Sequence, residues 1–149
     1  MRAVVQRTAG AQVIVEGHTV AEIGPGLVVF AGAVEGDTTE DVAYVARKVC
    51  ELRVFPDDQG QMNRSVREIG GSVLLVPNFT VAGDCRKGRR PSFSHAAPAE
   101  EGRALFEQLR AAVAHEQVPL GAGVFGAHMT VRVENDGPVT ILVDSRRQF

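Results

Sequence analysis

Residues Gly26 to Val34, GLVVFAGAV, are apolar almost without interruption. Such a run is far shorter than the roughly 20 residues that cross a bilayer. It is also too continuous for a surface helix or a half-buried strand, which mix apolar and polar positions at their own periods. It predicts a central strand covered on both faces, and therefore a sheet with apolar layers packed on either side.

The flanking segments show what those layers are. RAVVQRTAGAQVIVEGHTVAEI reads as a strand pair or meander broken by Gly10 and Gly17. After the central run the period changes. Val42, Val45, Ala46 and Val49 recur at helical spacing, with Thr38 or Thr39 as the cap and acids in the first turn. RVFPDDQGQMN is a short strand and a turn, and GGSVLLVPNFTVAG is a strand-like run interrupted by Pro77. APAEEGRALFEQLRAAVAHE is a second helix, with Pro98 in its first turn and Leu105, Leu109, Ala112 and Val113 as its buried stripe. FGAHMTVRVENDGPVTILVD closes the chain as a two-strand unit, with SRRQF expected as a loose end. Seven or eight strands and two long helices, not alternating, predict an α+β fold: a mainly antiparallel, barrel-like sheet with the two helices on its outside. With no repeat or linker, residues 1–149 are expected to form a single domain.

Composition narrows the function. The net charge of −2 gives no global attraction to nucleic acid, yet Arg86, Lys87, Arg89 and Arg90 crowd into CRKGRR. A small anion or one end of a nucleic acid suits such a local patch better than a long duplex does. MRAVVQRT lacks the apolar core of a signal peptide, and two cysteines make no disulfide framework, so a reduced, cytoplasmic chain is expected. None of His18, His95, His115 or His128 is paired at ligand spacing, and no C-x-x-C is present, which argues against a metal site. Neither a nucleophile elbow nor a phosphate loop is found. Cys85 lies beside cations that favour a thiolate, although an incidental loop cysteine is the plainer reading, and Cys50 is expected to be packed. Thr80 is a hydroxyl expected in an apolar strand, by itself a weak site candidate.

Two prolines in strand contexts remain. In VENDGPVTILV, β-branched runs flank a turn, but Pro138 has no N–H for a ladder. Pro77 and Pro138 mark edges, bulges or plain turns on one reading. On another, they free backbone groups to face a ligand, and a cis Gly137–Pro138 bond would turn two successive carbonyls the same way.

MRAVVQR, EIGPGL, Met62-Asn63, GGSVLLVPNFTVAGDCRKGRRPSFS and FGAHMTVRVENDGPVT, in that order, resemble the D-aminoacyl-tRNA deacylase family over nearly the whole chain. The resemblance implies a homodimeric hydrolase with a β-barrel-like sheet and outer helices. It would cleave the ester between a D-amino acid and the 3′-terminal adenosine of tRNA, and would remove glycine mischarged on tRNA(Ala). It implies no cofactor, and an aminoacylated tRNA 3′ end as the partner, with neither a membrane nor DNA involved.

Carried onto this chain, the resemblance implies that Gly137 and Pro138 form a cis pair entering the neighbouring subunit's pocket, steadied by Arg7. The pair would reject the side chain of an L-aminoacyl group. Pro77 and Met129 would belong to the substrate pocket. Asn78, Phe79 and Thr80 would form the catalytic segment. In the family the residue matching Thr80 has been viewed as a possible nucleophile. With no general base beside it in sequence, a role in positioning the ester and stabilising the oxyanion is preferred here, with the ribose 2′-hydroxyl assisting, and whether the Thr80 hydroxyl, the 2′-hydroxyl or water attacks stays open. Arg86, Lys87, Arg89 and Arg90 would meet RNA phosphates.

The chain departs from the family at Pro77-Asn78, where Ser-Gln is usual. An animal subgroup also carries proline at the first position, with relaxed chirality, but NDGPVT here keeps the common form, so D-selectivity is expected. The alternatives are a charged-tRNA-end binding module without turnover and a small-molecule hydrolase or lyase indifferent to RNA.

Overall fold

The computed structural model describes residues 1–148. The elements in chain order are β1 (Arg2–Val15), β2 (His18–Ile23), β3 (Gly26–Gly32), α1 (Thr39–Glu51), β4 (Phe55–Pro56), β5 (Met62–Arg64), β6 (Ser72–Pro77), α2 (Ala99–His115), β7 (Leu120–Ala122) and β8 (Thr130–Asp144). A 3₁₀ turn, Phe79–Ala82, comes after β6.

The main sheet runs β2-β1-β3-β6-β7, with β8 also paired to β1. β1 is antiparallel to β2, β3 and β8, as expected, but β3–β6 and β6–β7 are parallel. A separate two-stranded ribbon joins β4 and β5. The two ends of the sheet approach each other: a Cβ on Gly121 of β7 would lie 3.4 Å from the Ala21 Cβ of β2, so the barrel is nearly closed. No helix among the described residues is long and apolar enough to cross a membrane.

The apolar run at 26–34 behaves as its composition demands. Leu27, Val29 and Ala31 of β3 join Val73 and Leu75 of β6 in a cluster completed by both helices. On the other face, Val28, Leu74 and Val76 join Ala11, Val13 and Ile23. Alternate residues of the same strands thus feed two cores.

α1 begins as its sequence predicts, with the Thr38 N–H donating to the Asp41 carboxylate at 2.8 Å. Pro98 precedes α2 as its cap residue and does not lie within the first turn. Phe106 and Gly102 join Leu105, Leu109 and Val113 on the buried face of α2, while Ala112 is only half-buried.

Three other expectations are corrected. Gly10 does not break the first strand. β1 continues through it with register shifts at Thr8 and Gly10, where the buried Thr8 hydroxyl lies 2.8 Å from the Glu134 carbonyl and accepts the Gly10 N–H at 3.1 Å. The end of the chain is not a hairpin. β8 runs from Thr130 to Asp144 along β1, pairing Asn135 with Thr8 and then Thr140 with Gln6. Residues 136–139 are therefore extruded opposite Arg7 alone, because a long partner strand lets the ladder resume beyond the proline. The residues after β8 are not all loose: the Arg146 guanidinium meets buried Asp37 at 3.0 Å and the Glu35 carbonyl at 2.7 Å. Phe149 lies outside the described residues.

Candidate active site

β6 ends at Pro77, which pairs with Ala31, and the Asn78 N–H still donates to the Ala31 carbonyl at 2.8 Å. There the chain turns. The Asn78 side-chain oxygen accepts the Thr80 N–H at 3.1 Å and also the Thr80 hydroxyl, and the Gly83 N–H returns to the Thr80 carbonyl at 3.0 Å. Thr80 therefore sits in a 3₁₀ turn and not in a strand, because proline ends the ladder and the Asn78 side chain caps the turn. The turn lies directly on β3: a Cβ on Gly32 would fall 2.5 Å from the Asn78 carbonyl oxygen and 2.7 Å from the Val81 side chain.

Phe79 projects from this turn, 57% exposed, with its ring edge-on to Phe93 at 5.2 Å between centroids. Beside it opens an apolar cavity of about 350 Å³. Asn78, Phe79, Gly32, Phe106, Phe125 and Gly126 are among its walls. That size and lining suit a flat, largely apolar ligand portion with a few polar handles. Pro77 and Met129 lie elsewhere, together against Gly123, whose added Cβ would meet the Met129 sulfur at 2.8 Å and the Pro77 ring at 3.2 Å. Met129 packs against the second core cluster.

The extruded segment holds the other residues singled out by the resemblance. The Gly137–Pro138 peptide is cis, and Gly137 has φ +117°. The Arg7 Nε donates to the Asp136 carbonyl at 3.3 Å and meets its carboxylate at 2.9 Å, while Nη1 donates to the Val54 carbonyl at 2.6 Å. Arg7 thus ties the tip to the segment between α1 and β4. Gly137 and Pro138 are exposed and do not line the cavity beside Phe79. Within one chain, the structure brings together Asn78, Phe79 and Thr80, and separately Arg7, Asp136, Gly137 and Pro138.

The basic loop is closed by paired backbone hydrogen bonds between Asp84 and Ser92 at 2.8 and 2.9 Å. Its four cations are not equivalent. Arg86 grips Asp84 through Nε at 2.9 Å and Nη2 at 2.6 Å, and this grip, aided by the Arg86 N–H, holds the Asp84 carboxyl well below the usual carboxylate range. Lys87, Arg89 and Arg90 are exposed and form no ion pair among the described residues. Asp84, just upstream in GDCRKGRR, was the available signal that one charge of the run would be neutralised.

Cys85 is exposed, whereas Cys50 is packed in the core, where burial pushes its thiol up to about 11. No cluster of potential metal ligands occurs among the described residues. Sequence reasoning missed Gly32 as the floor of the turn and Phe125 as a cavity wall. Neither carries a reactive group to betray it.

The D-Tyr-tRNA(Tyr) deacylase family matches residues 4–144 of the chain. The D-aminoacyl-tRNA deacylase of Heliobacterium modesticaldum is 53% identical over 146 residues, covering 98% of this chain and 97% of the relative. The D-aminoacyl-tRNA deacylase of Thermotoga petrophila is 51% identical over 149 residues, covering 100% of both. Among solved structures, the c-Myc DNA Unwinding Element Binding Protein superposes with a TM-score of 0.91 at 34% identity, over 97% of this chain and 98% of that one.

Proposed function

Because the chain belongs to the D-Tyr-tRNA(Tyr) deacylase family, we propose that it is a D-aminoacyl-tRNA deacylase, a hydrolase that splits D-aminoacyl-tRNA into free D-amino acid and tRNA. The observation that carries the finer reading is the separation of the two halves of the site. The tip at Gly137–Pro138 is solvent-facing and braced by Arg7, while the cavity beside Phe79 lies apart from it. Two copies of the chain, each lending its tip to the other's cavity, complete the site. Leu142, 58% exposed on the same strand, supports a partner lying along β8. A steric gate made of backbone selects handedness without contacting any particular side chain, so one pocket serves many D-residues. Glycine has nothing to exclude, so glycyl-tRNA(Ala) is a substrate as well.

In this reading the terminal adenosine occupies the apolar cavity and the ester lies over the main chain of Phe79 and Thr80. Water adds to the ester carbonyl carbon. The bond from that carbon to the ribose 3′ oxygen breaks, and the ribose oxygen leaves with the proton that water gives up. The neighbouring 2′-hydroxyl relays that proton, and the Phe79 N–H, the one at the start of the turn that is not engaged in holding it, stabilises the transient oxyanion. Thr80 positions the ester and does not attack it, since its hydroxyl already donates to Asn78. The same contact occupies the Asn78 oxygen, so its role is to shape the turn. Pro77 and Met129, packed together at Gly123 away from the cavity, support the end of β6 and do not touch the substrate, and Lys87, Arg89 and Arg90 meet phosphates of the acceptor end. Residues 1–149 act as one domain, in the cytoplasm.

Deacylation of matched D- and L-Tyr-tRNA(Tyr) tests the proposal. The D-ester and Gly-tRNA(Ala) are expected to be cleaved and the L-ester spared. Equal rates on the D- and L-esters would refute the gate, and tight binding of charged tRNA without turnover would favour the binding-module alternative.

A further inference from the structure

We infer that Arg103, on α2, meets the phosphodiester immediately 5′ to the nucleoside held in the cavity. The inference rests on the proposed placement of the terminal adenosine in this cavity.

The Arg103 guanidinium carbon lies 4.8 Å from the centroid of Phe125. Phe125 and the next residue, Gly126, both line the cavity, and a Cβ on Gly126 would come within 3.7 Å of Arg103 Nη2. The charge therefore lies against one of the cavity's walls, over the Phe125 ring and beside Gly126.

What Arg103 lacks is equally informative. Its helical neighbours Glu100 and Glu107, at i−3 and i+4, are spaced to neutralise it. Yet Arg103 forms no ion pair or hydrogen bond among the described residues, and Glu107 goes instead to Arg110 at 3.5 Å. Several other arginines of the chain are committed: Arg7 to Asp136, Arg86 to Asp84 and Arg146 to Asp37. Arg103 is thus a stacked, oriented guanidinium with its donors unspent.

A nucleoside seated in the cavity must send its 5′ oxygen out past the rim, and in a tRNA that oxygen carries a phosphodiester anion. A planar guanidinium takes two phosphate oxygens at once, and stacking on Phe125 removes much of the rotamer freedom that binding would otherwise cost. The basic loop is then left for phosphates farther up the strand.

Binding of adenosine, 5′-AMP and an uncharged CCA-ended minihelix by the full chain tests this, with the variants Arg103→Gln and Arg103→Lys. The wild type is expected to favour 5′-AMP over adenosine by about tenfold, the size of one charge-assisted bidentate contact. Arg103→Gln should erase that preference while leaving adenosine affinity intact, which also shows that the cavity is still folded. Its log–log salt slope on the minihelix should fall by about 0.7, the share of one single-stranded phosphate, while Arg103→Lys keeps most of the slope. In turnover of D-Tyr-tRNA the loss should appear in KM and not in kcat. No 5′-AMP preference in the wild type, or a preference that survives Arg103→Gln, overturns the assignment. If the Arg103 results hold but the wild type leaves D-Tyr-tRNA intact, the deacylase reading fails and the phosphate contact stands. Robust deacylation with salt slopes unchanged by the substitution removes Arg103 alone.

Discussion

Pro77 and Pro138 interrupt the same sheet in opposite ways. At Pro77 the strand ends. The chain folds into a 3₁₀ turn packed on Gly32, with the core directly beneath it. At Pro138 the strand does not end. Residues 136–139 leave the ladder, which resumes at Thr140, and the extruded tip rests on one arginine. Both devices release backbone groups from strand pairing, as any proline in a sheet must. The difference lies in what holds the released groups still: close packing in the first case, a half-exposed ion pair in the second. Packing should make the turn intolerant of added volume, and the ion pair should make the tip sensitive to loss of charge while the fold survives.

The largest effect is therefore expected at Gly32. In Gly32→Ala the new methyl would stand 2.5 Å from the Asn78 carbonyl oxygen, a backbone atom that cannot swing aside. Overfilling of this kind costs about 1–3 kcal/mol of stability. A shift of the turn by about an ångström would lower kcat/KM about 100-fold. Urea unfolding and D-Tyr-tRNA deacylation measure the two consequences. A variant with wild-type stability and activity would show that the turn does not depend on its floor.

At Arg7 the balance reverses. Arg7→Gln keeps most of the side-chain volume but removes the charge that meets Asp136 and the Nη1 donor to Val54. Hydrogen bonds to charged groups are worth about 1.5–3 kcal/mol, at the lower end where one partner is half in water. Deacylation of D-Tyr-tRNA should fall by about tenfold, with the unfolding midpoint moving far less than in Gly32→Ala. If stability drops as much as activity does, the tip is part of the core's cooperative unit, and the contrast between the two prolines disappears.

How much of this is legible in the sequence depends on whether the deciding contact is local. The central strand, both helices and a threonine cap at Thr38 or Thr39 are readable because period and capping lie within one turn or one run of sequence. The extrusion at 136–139 reads as a hairpin because Asn-Asp-Gly-Pro looks the same whether the strands beside it pair with each other or with β1. Nothing within ten residues of Pro138 says that β1 is long enough to serve both halves. For the same reason the parallel pairing of β3 and β6 is not visible. In the site, the motif residues Asn78, Phe79 and Thr80 stand out, but the strand expected around Thr80 gives way to a turn held by the Asn78 amide, a side-chain competition that alternation does not reveal. Arg103 offers no signal, because an arginine on an exposed helix face is commonplace until Phe125 is found beneath it.

Arg86 should give the smallest effect, and it sharpens the comparison from a third direction. Like Arg7, it is an arginine on an aspartate, yet its partner lies two residues away in the same exposed loop and braces nothing beyond it. By charge alone it should matter to RNA as much as Lys87, Arg89 or Arg90. With its charge already paired with Asp84, it should not. The sign of the linkage keeps it so. A carboxyl held below its ordinary range keeps its pairing above that range and loses it only as pH falls through the depressed value. Arg86 therefore stays neutralised at any pH at which a deacylation assay is run. Arg86→Gln should change tRNA affinity by less than about twofold and leave the salt slope nearly intact, whereas Arg89→Gln or Arg90→Gln should each lower the slope by about 0.7–0.9. If Arg86→Gln lowers the slope as much as they do, RNA pulls the guanidinium off Asp84, and an ion pair inside one exposed loop is a reservoir of charge and not a brace.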